Sequence, residues 1–196
     1  LSNYCVNYCA YCNFRYRKDF QRRHLTPEQA AAQSAILLNR GLHHQLLVSG
    51  DFPRLITTAY LEAVLDRLLA LGVQPTLEIA PQNTASYAAL AQAGAVAVTM
   101  YQETYNPRLY DEYHPRGPKH LYDWRLEGPE RAAEAGIRRL GLGVLLGLAE
   151  PRAELLALMR HAQYLHNRFP DRTLAFNLPR LHDPPPTFNP PYRIDD

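Results

Sequence analysis

The chain has 196 residues, of which 46% are hydrophobic and 20% charged, enough for one domain with its own core and too apolar for a disordered chain. A formal net charge of +2 makes no electrostatic case for nucleic acid, and no apolar run approaches the roughly 20 residues that span a bilayer. An odd cysteine count and no signal peptide suit a reduced, cytoplasmic setting.

In chain order, Leu1–Tyr4 reads as the end of a strand that runs into a cysteine loop. That loop carries Cys5, Cys9 and Cys12 in C-x3-C-x2-C spacing, with Tyr11 directly before the third. Three thiolates within eight residues can meet around one body only if the backbone loops about it, which is how an iron–sulfur cluster is held. Three ligands on a four-iron cluster leave one iron open to a small molecule. A zinc site would want a fourth ligand, for which His24 is the nearest candidate; a disulfide with a spare thiol is a further alternative. Arg15–Arg23 is basic (Arg15, Arg17, Lys18, Arg22, Arg23) and reads either as a solvated loop or as a cationic rim near an anionic group.

Thr26-Pro27-Glu28 marks a helix start that runs to about Asn39 and stops at Gly41. His43–Ser49 is a short apolar strand ending at Ser49-Gly50-Asp51. A helix over Thr58–Leu71, a strand at Thr76–Ala80, a helix over Ala85–Ala93 and a strand at Ala95–Met100 follow. A connection of roughly 28 residues with no evident regular structure comes next; long loops of that kind usually carry function. A helix over Pro129–Ala135, a strand at Leu140–Leu146, a helix over Arg152–Arg168 and a strand at Leu174–Leu178 complete the pattern. Six strands alternating with helices predict parallel βαβ units. No G-x-G-x-x-G follows the first strand, which disfavours a dinucleotide fold, and in a parallel barrel the site lies at the C-terminal strand ends.

The cysteine spacing with its preceding aromatic resembles the cluster motif of the radical S-adenosylmethionine (SAM) superfamily. That resemblance implies that Cys5, Cys9 and Cys12 bind a 4Fe-4S cluster, that SAM chelates the open iron, and that Tyr11 lies against adenine. Ser49-Gly50-Asp51 resembles the superfamily's glycine–acid turn, with Asp51 where Glu is usual; an ordinary strand-to-helix turn is the alternative. Gly143-Val144-Leu145-Leu146-Gly147-Leu148-Ala149-Glu150 resembles its G-x-I-x-G-x-x-E strand, which implies cofactor contacts at Gly143, Leu145 and Gly147.

Further segments narrow the resemblance. YQETYN, HPRGPK, YDWRL, PERAAEAGIRRLGLGVLLGL and LPRL together are similar to the 2-iminoacetate synthase (ThiH) family of tyrosine lyases of thiamine biosynthesis, and next to the tyrosine lyase of hydrogenase maturation and the tryptophan lyases. The implied fold is a partial parallel (β/α)6 TIM-like barrel. The implied reaction is cleavage of the tyrosine Cα–Cβ bond to 2-iminoacetate and p-cresol through a 5′-deoxyadenosyl radical; a lyase acting on another aromatic amino acid and a zinc-stabilised binding module are the alternatives. Glu103 and Arg125 match an acid–arginine pair for the ionic groups of SAM, with a surface salt bridge as the alternative. Arg180 is the candidate for a substrate carboxylate, with Arg138 or Arg139 less suited. The implied partners are an electron donor such as flavodoxin or ferredoxin, and thiazole synthase. The expected layout is a core domain over 1–183 and a proline-rich segment over 184–196. A start at Leu1 and five prolines among the last 13 residues suggest a barrel cut at both ends, able to display the cofactor end of the site but not to cleave tyrosine efficiently.

Overall fold

The computed structural model describes residues 1–16, 19 and 21–194. The chain folds as α1 (Pro27–Leu38), β1 (His44–Val48), α2 (Thr58–Ala70), β2 (Gln74–Glu78), α3 (Thr84–Gln92), β3 (Ala97–Glu103), α4 (Pro107–Tyr113), a 3-10 turn (Pro118–His120), α5 (Tyr122–Leu126), α6 (Gly128–Glu134), β4 (Arg139–Val144), α7 (Pro151–Arg168) and β5 (Thr173–Asn177). All five strands are parallel and ordered β1-β2-β3-β4-β5. Each strand lies beside its successor, as in a barrel; a doubly wound sheet would reverse direction at a switch point. The sheet is open, with β1 and β5 at its edges.

Local chemistry explains the boundaries. Thr26 and Gln29 cap α1 reciprocally, with Pro27 in the first turn, so a capping box sits where a hydroxyl and a proline alone were read. Thr57, Asn83 and Asn106 cap α2, α3 and α4. The Glu150 carboxylate accepts the amides of Arg152 and Ala153 and starts α7. The acid that closes the G-x-I-x-G-x-x-E resemblance is therefore a helix cap here.

Two expectations need correcting. Leu1–Tyr4 is not a strand: only Ser2 bridges, in parallel to Ser49 and antiparallel to His24, because two residues on the chain turns away into the cysteine loop. Among the described residues the sheet therefore has five strands rather than six. The connection after β3 is not irregular but holds α4, the 3-10 turn and α5. These elements have three to seven residues, too few to show a 3.6-residue apolar period.

The main core fills the space between α2, α3, α6 and the outer face of the sheet, with Leu61, Leu65, Leu68, Leu77, Leu90 and Leu140 essentially inaccessible. A second cluster packs α7 on β4 through Leu142, Val144, Leu158 and Leu165. A third, above the strand ends, joins Cys9 and Tyr11 to Tyr113 and Leu148, with Phe188 of the proline-rich segment packed on it. Among the described residues no helix is long and apolar enough to cross a membrane.

Candidate cofactor site at the C-terminal strand ends

The cysteine loop is clamped from two sides. On the β1 side, Gly50 donates to the Ser2 carbonyl (2.7 Å) and Val6 donates to the Asp51 carbonyl (2.9 Å). A Cβ on Gly50 would lie 2.2 Å from the Tyr4 carbonyl oxygen and 3.3 Å from the Cys5 Cβ; the two backbones approach this closely only because residue 50 has no side chain. On the β3 side, Tyr8 donates to the Arg116 carbonyl (3.1 Å) and Ala10 to the Tyr113 carbonyl (2.9 Å). Asn7, fully buried, joins both clamps. Its amide donates to Asp51 Oδ2 (2.8 Å), and its carbonyl oxygen accepts from the Lys119 amide (2.9 Å).

Tyr11 is held from inside the third cluster. Its hydroxyl donates to His114 Nε2 (2.8 Å), whose Nδ1 hydrogen goes to the Tyr110 carbonyl (2.7 Å). Burial first, then the charge of Lys119, lowers the His114 pKa to about 3, so the ring is neutral and Nε2 is free to accept.

A cavity of about 360 Å³ opens beneath the loop, lined by Cys5, Cys9, Cys12, Asp51, Glu78, Tyr101, Glu103, Lys119 and Arg125 among others. A second cavity of about 410 Å³ adjoins it, shares Gly50, Asp51 and Ala80, and is walled by Phe52 and Trp124. All three cysteines are free thiols. Burial pushes the Cys9 thiol up to about 12, against the opposing pull of Lys119, and burial also raises Cys12. Ligation must therefore displace protons from these sulfurs.

Opposite the thiols stands a buried charge triad. Glu103 Oε1 accepts from Lys119 Nζ (2.5 Å) and lies 3.4 Å from Arg125 Nη2. Arg125 Nε donates to the Tyr101 carbonyl (2.7 Å), which fixes the guanidinium. Burial works to raise the Glu103 pKa, but the two cations outweigh it and hold the carboxyl below its usual range. Glu103 sits at the register shift that ends the β3–β4 pairing, with φ 71°. The next residues are fastened by Glu154 of α7, whose carboxylate accepts from the Thr104 hydroxyl (2.8 Å) and the Tyr105 amide (2.7 Å).

Cys5, Cys9, Cys12, Ser49, Gly50, Asp51, Glu103 and Arg125 thus meet in one cavity. The other expected residues lie off its wall. Tyr11 is buried among Tyr113, His114 and Phe188 and braces the loop. The space in front of Gly143 is taken by the Tyr101 ring and the Asn177 carbonyl, 2.7 and 2.2 Å from where a Cβ would be. Leu145 packs on the third cluster, and Gly147, with φ 112°, turns the chain against Leu181. Arg180 is exposed, at the isolated bridge to Leu146 beyond the end of β5.

Arg22 does not belong to a solvated rim: its guanidinium donates to the carbonyls of Asn3, Phe14 and Arg15 and staples the cysteine loop. Arg17 and Lys18 lie outside the described residues. His24 stacks on Tyr60 at 4.6 Å and is not on the cavity wall. Sequence reasoning missed Lys119, Asn7, His114 and Glu78. Only HPRGPK, as a polar segment in a long connection, pointed toward Lys119 and His114.

The residues fit an iron–sulfur cluster. The three free thiols share one cavity wall, yet among the described residues no three His, Cys, Asp or Glu groups are placed to hold a single metal ion. A zinc site needs its ligands to converge at about 2.0–2.3 Å on one point, whereas a multi-iron body is grasped from around its periphery.

Sequential parallel strands with three cysteines and a buried ionic clamp at their C-terminal ends define a cofactor-binding member of the barrel class. The profile of the Radical SAM superfamily matches residues 1–162, and the chain belongs to that superfamily. A 4Fe-4S cluster and SAM are therefore its cofactors. The chain is 34% identical to the 2-iminoacetate synthase of Escherichia coli K12 over 182 residues, which is 92% of this chain and 48% of that protein. The structure of the FeFe-hydrogenase maturase HydG from Carboxydothermus hydrogenoformans is similar at a TM-score of 0.87 and 37% identity, covering 92% of this chain and 43% of that one. A second HydG structure matches at 0.88 and 34%, covering 92% and 41%. The chain spans about half the length of the curated 2-iminoacetate synthases it matches.

Proposed function

We propose that this protein is a radical SAM carbon–carbon lyase that cleaves the Cα–Cβ bond of tyrosine to 2-iminoacetate and p-cresol, as in thiamine thiazole synthesis. The observation that carries the reading is a single cavity with three free thiols on one wall and the Glu103–Lys119–Arg125 triad on another. The likeness to 2-iminoacetate synthase supports the substrate class. The likeness to HydG supports, as a second reading, a role in hydrogenase maturation.

Bound together, the cluster and SAM supply a hydrogen-abstracting 5′-deoxyadenosyl radical. The chain's own residues hold and orient them. Cys5, Cys9 and Cys12 are the cluster ligands. Glu103 suits an ammonium, while Arg125 and Lys119 suit a carboxylate; these are charge-assisted contacts in a water-poor setting. Gly50 lets the backbone at Ser49 and Asp51 come close. Asp51 is tied to Asn7, so the shorter acid braces the loop as well as lining the cavity. An electron donor of the flavodoxin or ferredoxin kind and a thiazole synthase that consumes 2-iminoacetate complete the reading.

The test is anaerobic reconstitution with iron and sulfide, followed by reduction with SAM and either tyrosine or tryptophan. A SAM-perturbed EPR signal with 5′-deoxyadenosine and p-cresol is expected. An indole product would move the substrate to tryptophan, and bound zinc without sulfide would end the radical reading.

A further inference from the structure

Three carboxylates, Asp51, Glu78 and Glu103, line the cysteine-walled cavity against two cations, Lys119 and Arg125. Asp51 accepts from the Asn7 amide at Oδ2, its Oδ1 lying buried without a partner, and Glu103 takes both cations. Glu78 has the Tyr101 hydroxyl beside it and, among the described residues, no ion-pair partner. It is the last residue of β2, level with Val48, and it is half-buried. Burial holds its carboxyl above the ordinary range, and the nearby negative charge of Glu103 adds to that. A desolvated carboxylate that pairs with neither cation of its cavity is costly unless a ligand supplies one.

Glu78 ends β2, and Tyr101 stands on the neighbouring strand β3. Tyr101 itself is built in: its ring fills the space that Gly143 leaves empty on the neighbouring strand.

We propose that Glu78, steadied by the Tyr101 hydroxyl, is the residue that receives the protonated amine of the amino acid substrate. The proposal rests on the lyase reading above, and it adds a binding residue on β2 together with a positioning residue, Tyr101, on β3. A carboxylate there selects an amino acid over the same skeleton without its amine. Glu103 and its two cations remain dedicated to SAM.

The test is equilibrium dialysis on the reconstituted protein with SAM present, comparing L-tyrosine with 3-(4-hydroxyphenyl)propanoate, which lacks the amine. The wild type should prefer tyrosine by about 10-fold or more, the worth of a charge-assisted contact. Glu78→Gln should bring the ratio close to one while SAM affinity stays within about two-fold. Glu78→Asp should keep part of the preference, and Tyr101→Phe should reduce it. Circular dichroism verifies that each variant is folded, and the two milder variants carry the test if Glu78→Gln is not. Preference retained in folded Glu78→Gln, or no preference in the wild type, overturns the proposal. Weakened SAM binding with tyrosine preference intact assigns Glu78 to the cofactor and also overturns it. A wild type that forms its cluster and binds SAM but binds neither probe defeats the tyrosine reading and this proposal together. A wild type that forms no cluster defeats the radical reading before the amine is in question.

Discussion

His114 should make the stability of the cysteine loop depend on pH in a definite window. In the native state its ring is inaccessible and its pKa is lowered from 6.5 to about 3, by burial first and Lys119 second. Between those two values the unfolded chain binds a proton on this residue that the native protein does not. Stability is therefore lost as pH falls below 6.5 and stops falling near the folded value. The slope for one such group is about 1.4 kcal/mol per pH unit, so going from 6.5 to 5.0 costs about 2 kcal/mol. His161, lowered to about 4 by burial while bonded to the Tyr105 hydroxyl, contributes a similar amount over the same interval. Urea unfolding of the reduced protein at pH 7.5 and 5.0 should then show a difference of about 4 kcal/mol from the two histidines together. His114→Gln keeps an acceptor for Tyr11 and cannot titrate. It should lose about half of that pH dependence, and His161→Gln the other half. A His114→Gln curve parallel to the wild type would refute the reasoning, since it would mean that His114 charges in place or is not buried neutral.

Three more outcomes follow from the site geometry. Cys9→Ala should assemble no cluster under anaerobic reconstitution, because a three-thiolate site holds no spare ligand; stoichiometric iron and sulfide in the variant would contradict the assignment. Gly50→Ala forces a Cβ to within 2.2 Å of the Tyr4 carbonyl oxygen; it should cost about 1–3 kcal/mol in urea unfolding and lower the iron content. Arg125→Ala should weaken SAM binding by about 10-fold or more, from the loss of a charge-assisted contact, with Lys119→Met acting in the same direction; unchanged dissociation constants would remove the triad from the cofactor site.

What could be read from the sequence was what lies close together in it. The five strands appear as apolar runs ended by glycines or polar turns, and the cysteine motif is complete within eight residues. What escaped lies in contacts between distant segments. Lys119 and Glu103 are 16 residues apart and Asn7 and Lys119 are 112 apart, so no local pattern joins them. Glu78 read as the interior of a strand because its neighbours Leu77 and Ile79 are apolar and buried. Strand alternation puts it on the opposite face from those two, and that face borders the cavity. The partner of the Tyr11 hydroxyl, His114, was equally out of view, 103 residues away in the chain.

The segment from Tyr113 to Lys119 has two loads at once. Its backbone carries the cysteine loop through Tyr113, Arg116 and Lys119, and the Lys119 side chain carries Glu103. The thiols and the ionic clamp are therefore not independent sites: a shift that loosens one takes the cation from the other. Glu103 has reason to move if released, since a non-glycine residue at φ 71° stores about 1–3 kcal/mol of backbone strain. Glu154 resists that relaxation by holding Thr104 and Tyr105 to α7. The clamp is thus strained on one side, tied down on the other, and linked to the cluster loop by the Tyr113–Lys119 strap, which carries Pro115 and Pro118. Such a site keeps its shape before the cofactors arrive, which is the condition under which fixed charges orient a ligand most effectively.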